Sequence, residues 1–213
     1  MCMGGELGKN GILDRGYIDC SRNLENEMKK YQIIYADPPY KMRFASDLKD
    51  GFKVFDVPYP QLTIKEICNL PITNIVDENA ILFLWCIDAY LPFLTNIMES
   101  WGFRYVTVGF VWNKVTKDRC GVNAIYSQYT RKSCEFCYIG RKGKLLVKNP
   151  CVVDQYVACS KGEHSSKPDI VRDNIVKLCG DLSRIELFAR EHTPLFKDKW
   201  DRWGNEVESN IEL

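Results

Sequence analysis

Apolar residues recur along this chain in short solid runs separated by polar, helix-permissive stretches. Ile33, Ile34 and Tyr35 open the series inside "YQIIYADPPYKMRF" and predict a strand. "AILFLWC" (80–86) is a continuous apolar run, as expected of a strand buried on both faces. "RYVTVGFVWNK", "SCEFCYIGRKG" and "SRIELFAR" predict three further strands. Between them lie three helical patterns. "TIKEICNL" begins with Thr63 and carries Glu66 three residues on, a capping box. "YLPFLTNIMESWG" is closed by Gly102. "SSKPDIVRDNIVKLCG" has Pro168 and Asp169 in its first turn, Gly180 at its end, and an apolar stripe through Ile170, Ile175, Val176 and Leu178. "GILDRGYIDC" suggests one more short strand ending near Asp19.

Strands alternating with helices predict an α/β fold: a largely parallel sheet with helices on both faces. With 213 residues, 46% hydrophobic, the chain reads as one domain with a substantial core, 1–213. Residues 1–11 are Gly-rich and read as a frayed end. The stretch 41–60, with mixed charge, Gly51, Pro58 and Pro60, is too long for a mere connector and reads as a functional loop.

Net charge is +1, which neither demands nor excludes a nucleic-acid partner. Its distribution is more telling. From Trp112 to Lys148, nine Lys or Arg face only Asp118 and Glu135. A polyanion could use this segment, and so could a plain solvated face. Ten cysteines raise the question of a disulfide scaffold. No leader is legible ahead of them, and Cys86, Cys137 and Cys179 sit in apolar runs, so buried free thiols in a reducing cytosol are expected. Cys134 and Cys137 form a CxxC, but Cys151 and Cys159 are too widely spaced to complete a zinc ribbon. No metal and no membrane span are expected.

The first strand ends in Asp37, Pro38, Pro39 and Tyr40. In open α/β sheets, ligands bind outside the carboxyl ends of strands. Two prolines fix φ and stiffen the backbone there. A carboxylate, a rigid carbonyl and an aromatic suit a planar aromatic amine, with its two N–H donors and a π-face. A strand that merely stops at a Pro-Pro turn is the alternative.

"DPPY" resembles the [D/N/S]PP[Y/F/W] motif of amino methyltransferases. "YADPPY", "TIKEICNLPI", "AILFLWCIDAYLP", "GFVWNK", "YTRKSCEFCYIGRKGK", "HSSKPD", "RIELFAR" and "WDRWGNEV" follow in order from about Tyr31 to Val207. Together they resemble the family named for the seventy-kilodalton subunit of the mRNA adenosine-N6 methyltransferase, in its compact bacterial and phage form. That resemblance implies a Rossmann-like methyltransferase with permuted motif order, in which the absence of a GxGxxG loop is normal. It implies S-adenosylmethionine as methyl donor and the N6 amine of adenine as acceptor; the family acts on both DNA and RNA, and the compact chain, without a legible RNA-binding module, favours DNA. RNA methylation and a catalytically silent nucleic-acid-binding subunit are the alternatives; a cytosine-N4 enzyme would share only the DPPY chemistry. The implied setting is a bacterial or phage-infected cytoplasm, and a homodimer is left open.

Residue by residue, the resemblance assigns Asp37 to the target amine and to the cofactor's methionine end. The Pro38 carbonyl, beside Pro39, becomes the second acceptor, and Tyr40 the stacking platform. Lys167 is matched to the methionine carboxylate. Glu186, at a strand end, is matched to ribose hydroxyls, with Phe188, Arg190 and His192 following it. Asn205 and Glu206 form a further cofactor pair, and Asp19 stands at the spacing of a second acidic contact. Lys41, Arg43, Lys114, Arg131, Lys132, Arg141 and Lys142 are the expected phosphate contacts, placing the 41–60 and 112–148 segments toward substrate.

Overall fold

The computed structural model describes residues 29–41, 60–118, 121–126, 129–162, 166–190 and 199–213. The first run forms β1 (Tyr31–Ala36), buried along nearly its whole length. Three helices accompany the sheet: α1 (Ile64–Asn69), α2 (Leu94–Ser100) and α3 (Asp169–Cys179). The remaining strands of the main sheet are β2 (Val76–Cys86), β3 (Arg104–Val115), β6 (Cys134–Lys142), β7 (Tyr156–Ser160), β8 (Arg184–Leu187) and β9 (Asp201–Trp203). A separate two-residue ladder pairs β4 (Ile125–Tyr126) with β5 (Arg131–Lys132).

The seven strands lie in the order β7-β3-β6-β2-β1-β8-β9. β6 alone runs antiparallel to its neighbours; β1 pairs parallel with both β2 and β8, as do β3 with β7 and β8 with β9. The sheet is therefore largely parallel, as expected. Chain order reverses at β1: β2 lies on one side of it and β8 on the other. A crevice at such a reversal, outside the strands' carboxyl ends, is where an open α/β sheet binds its ligands.

Each face of the sheet has its own core. One packs Ile67 of α1 and Leu94, Ile97 and Met98 of α2 over Ile34, Leu82 and Leu84. The other packs Val171, Ile175 and Cys179 of α3 under Tyr35, Phe83 and Trp85. The α3 stripe is thus 171–175–179; Ile170, expected inside, is 48% exposed, one position out of phase. The Thr63–Glu66 capping box is present in full. Cys86, Cys137 and Cys179 are buried free thiols. No helix among the described residues is long and apolar enough to cross a membrane.

Candidate active site

Parallel strands deliver their carboxyl ends to one edge of the sheet. Asp37 follows β1, Phe188 to Arg190 follow β8, and Gly204 to Glu206 follow β9. Asp37, Pro39, Pro60, Phe188, Ala189, Arg190, Asn205 and Glu206 line one small cleft there. The cleft joins residues 169 positions apart in sequence, Asp37 and Glu206, which follow β1 and β9 on either side of β8. Two backbone features hold its floor. Phe188 adopts φ +61°, an uncommon left-handed conformation for a non-glycine residue. Gly204 lies so close that a Cβ there would sit 2.4 Å from the Ala189 carbonyl oxygen, so only glycine fits without displacing backbone.

Because β6 is antiparallel, its first residues reach this same edge. Cys137 pairs with Trp85 and Phe136 with Cys86 at the carboxyl end of β2. Glu135 therefore arrives beside the DPPY turn, where Lys114 of β3 and Lys167, just ahead of α3, also converge. Lys167 Nζ donates to Asp37 Oδ2 at 2.5 Å and pairs with Glu135 Oε2 at 3.3 Å, while Lys114 donates to Glu135 Oε1. The result is an alternating row, Asp37–Lys167–Glu135–Lys114. The Lys167 ammonium also lies over the Trp85 ring, 5.4 Å from its centroid. Burial works against the charge on Lys167, but Asp37 and Glu135 outweigh it and raise its pKa. Burial likewise opposes ionisation of Glu135, and the two lysines overcome it, leaving its carboxyl below the usual range.

The DPPY turn is tied down by its own backbone. Tyr40 N–H donates to the Pro38 carbonyl at 2.8 Å, and Leu62 N–H to the Pro39 carbonyl at 2.7 Å. The Pro38 carbonyl, expected to be uncontested, keeps one lone pair for a ligand. Tyr40 departs further from expectation. Its ring is 5% exposed, its hydroxyl donates to the Trp85 carbonyl at 2.8 Å, and Tyr90 stacks on it at 5.1 Å. Tyr40 anchors the turn to β2 and offers no open stacking face.

A family model described as MT-A70 matches residues 31–206 of this chain. The chain belongs to the MT-A70 family, and it is a methyltransferase. It is 37% identical to the type II methyltransferase M.MunI of a Mycoplasma species, over 87% of this chain and 82% of that protein. It is 27% identical to the N6-methyladenosine RNA methyltransferase MTA1 of Pyricularia oryzae, over 83% of this chain and 47% of the relative. With the human N(6)-adenine-specific methyltransferase METTL4 it shares 26% identity, over 89% of this chain and 40% of that protein. The chain thus spans most of the first relative and under half of the other two.

Within this MT-A70 domain, the remaining expected residues divide sharply. Glu186 is engaged within the protein. Both its oxygens accept from Arg172, at 2.8 and 2.7 Å, in a buried bidentate pair beneath the sheet edge. The pair holds α3 against β8 and leaves each Glu186 oxygen one further lone pair. Lys114 and Lys132 are engaged within the protein, Lys114 with Glu135 and Lys132 with Asp88 at 2.8 Å. Arg141 and Lys142 close the far end of β6, opposite Ile81 and Ala80 at the start of β2. At about 3.3 Å per residue they lie roughly 20 Å from Glu135, on the edge of the sheet opposite the DPPY turn. Arg131 and Lys41 lie on the near side, next to Tyr126 and the DPPY turn. Asp19, Arg43 and His192 lie outside the described residues. Glu135 was missed as a site residue. Its signal was available in the family-like stretch "YTRKSCEFCYIGRKGK", but its position depends on the direction of β6.

Proposed function

We propose that this chain transfers a methyl group from S-adenosylmethionine to the exocyclic N6 amine of adenine in DNA. The observation that carries the reading is the cleft at the β1/β8 reversal, with Asp37 on its wall and Lys167 bonded to one Asp37 oxygen. The donor set suits the methyl donor. A carboxylate is there for its ammonium group, and Lys167 retains a third N–H for its carboxylate. Arg190, Asn205 and Glu206 offer polar groups for ribose hydroxyls, and Phe188 and Ala189 an apolar surface for a purine. When bound, the donor supplies an electrophilic sulfonium methyl. Support for DNA comes from the type II methyltransferase relative, of which this chain covers 82%.

The chain's own residues act by position and charge. The adenine amine is a poor nucleophile, since its lone pair is delocalised into the ring. Asp37 and the spare lone pair of Pro38 accept its two hydrogens and favour a pyramidal nitrogen. Lys167 fixes the Asp37 rotamer through its hydrogen bond to Oδ2. Trp85 and Tyr40 hold the turn rigid, which preserves the alignment that an in-line displacement requires. The target base must leave a duplex stack or arrive single-stranded.

The test is tritiated-methyl transfer to matched DNA and RNA pools, followed by nucleoside mass spectrometry. N6-methyladenine in the DNA pool, abolished by Asp37→Ala in a folded protein, is the expected result. Label in the RNA pool alone would move the substrate to RNA. An active Asp37→Ala protein would remove the mechanism.

A further inference from the structure

A second cleft, of about 530 Å³, opens on the outer side of the DPPY turn. Its walls include Lys41, Ile64, Lys65, Tyr90 and Phe93. Lys41 directly follows Tyr40, and its N–H donates to the Leu62 carbonyl at 2.9 Å, so this wall is continuous with the catalytic turn. From Tyr40 the aromatic rings continue outward: Tyr90 stacks on Tyr40 at 5.1 Å and 22°, and Phe93 follows Tyr90 at 6.4 Å. Tyr90 is pinned by its hydroxyl, which donates to the Lys41 carbonyl. Phe93 ends the series 45% exposed, on the 3-10 turn Asp88–Phe93.

Several observations identify the occupant. The lining is mostly apolar and ends in two aromatic rings, and its charged residues, Lys41 and Lys65, are both exposed cations. The carboxylates next to lining residues in sequence are engaged, Glu66 by Thr63 and Asp88 by Lys132. Aromatic faces beside a cationic rim form a site for a nucleobase and its phosphate. The site also begins at Lys41, the residue that directly follows the DPPY motif.

We propose that this cleft is a flanking-base subsite, taking the nucleobase adjacent to the target adenine. Phe93 and Tyr90 contact its ring, and Lys41 and Lys65 its phosphate. The inference rests on the functional reading above and deepens it.

The test couples a protein ring to a base. Binding is measured by fluorescence anisotropy on short single strands holding one adenine, with an abasic nucleotide placed at each flanking position in turn. Wild type should weaken about 5- to 100-fold at one flank, the range for one base stacked on an aromatic side chain. Phe93→Ala should weaken the intact strand similarly and show no further loss at that abasic position. Lys65→Ala should weaken every strand and flatten the salt dependence. Circular dichroism checks that the exposed Phe93 can be removed without unfolding. Full abasic sensitivity retained in Phe93→Ala, at every flank, would overturn the subsite while methyl transfer by wild type left the functional reading standing. A wild type that binds no strand would overturn both. A Phe93→Ala protein with normal strand affinity but altered sedimentation would assign the patch to self-association instead.

Discussion

Glu135→Gln isolates the charge row at the candidate site. The side chain of Glu135 is 24% exposed, and those of its partners Lys114 and Lys167 are 9% and 11% exposed. Removing one partner of a buried ion pair costs roughly 3–5 kcal/mol, because the other charge stays buried and uncompensated. Glutamine keeps the shape and a neutral acceptor, and Asp37 still neutralises Lys167, so the expected loss is at the lower end, about 3 kcal/mol. For a domain of this size that corresponds to a fall in Tm of about 6–12 °C. Chemical denaturation with urea, read by circular dichroism, measures it directly. The pH dependence adds a second, independent readout. The two lysines depress the Glu135 pKa below its ordinary 4.5, so its stabilisation is fully present above that value and lost as pH falls through the depressed one. Lys167 is shifted upward from 10.5, so its contribution holds below that value and is lost only as pH rises through the raised one. Wild type should therefore lose more stability on acidification below pH 4.5 than Glu135→Gln does. A variant within about 0.5 kcal/mol of wild type, with an unchanged acid limb, would show that the row is not energetically coupled.

Gly204→Ala should destabilise by about 1–3 kcal/mol and weaken S-adenosylmethionine binding in calorimetry, because its Cβ meets the Ala189 carbonyl in the floor of the cleft. Arg172→Met should cost about 3–5 kcal/mol in denaturant unfolding, since it leaves Glu186 buried and unpaired. Tyr40→Phe should lose about 1–3 kcal/mol, the cost of orphaning the Trp85 carbonyl, with no change in the salt slope of nucleic-acid binding. Neutralising Arg141 and Lys142 together should leave that salt slope unaltered, in contrast to Lys41→Ala, because they stand on the opposite edge of the sheet.

Much of the fold was legible because its signals are local. The strand runs at 33–35, 80–86, 104–115 and 134–142 and the three helices follow from apolar continuity, a capping box and terminal glycines. β7 and β9 were not legible as strands. They are the edges of the sheet, five and three residues long, and each is paired on one side only, so neither needs a solid apolar run. The grouping of residues in one cleft was legible through family resemblance. Asp37, Phe188, Arg190, Asn205 and Glu206 come together as expected, although nothing in their spacing requires it. The pairing of Glu186 was not legible, because its partner Arg172 faces it from a helix packed under the sheet.

The basic segment shows where sequence reasoning must fail without strand direction. Nine cations in 37 residues read as one electrostatic surface, but that holds only if the segment stays on one side of the molecule. It does not. β6 enters the sheet at the edge that carries the DPPY turn, with Glu135, and leaves it at the opposite edge with Arg141 and Lys142, so a single strand divides the charge between two ends. Had β6 run parallel to β2, the two cations would have reached the substrate edge and Glu135 would have been carried away from it. The reversed strand instead brings one carboxylate to two lysines, one of which holds Asp37. The same reversal shifts the expected nucleic-acid contact toward Lys41, Lys65 and Arg131, on the near side of the sheet.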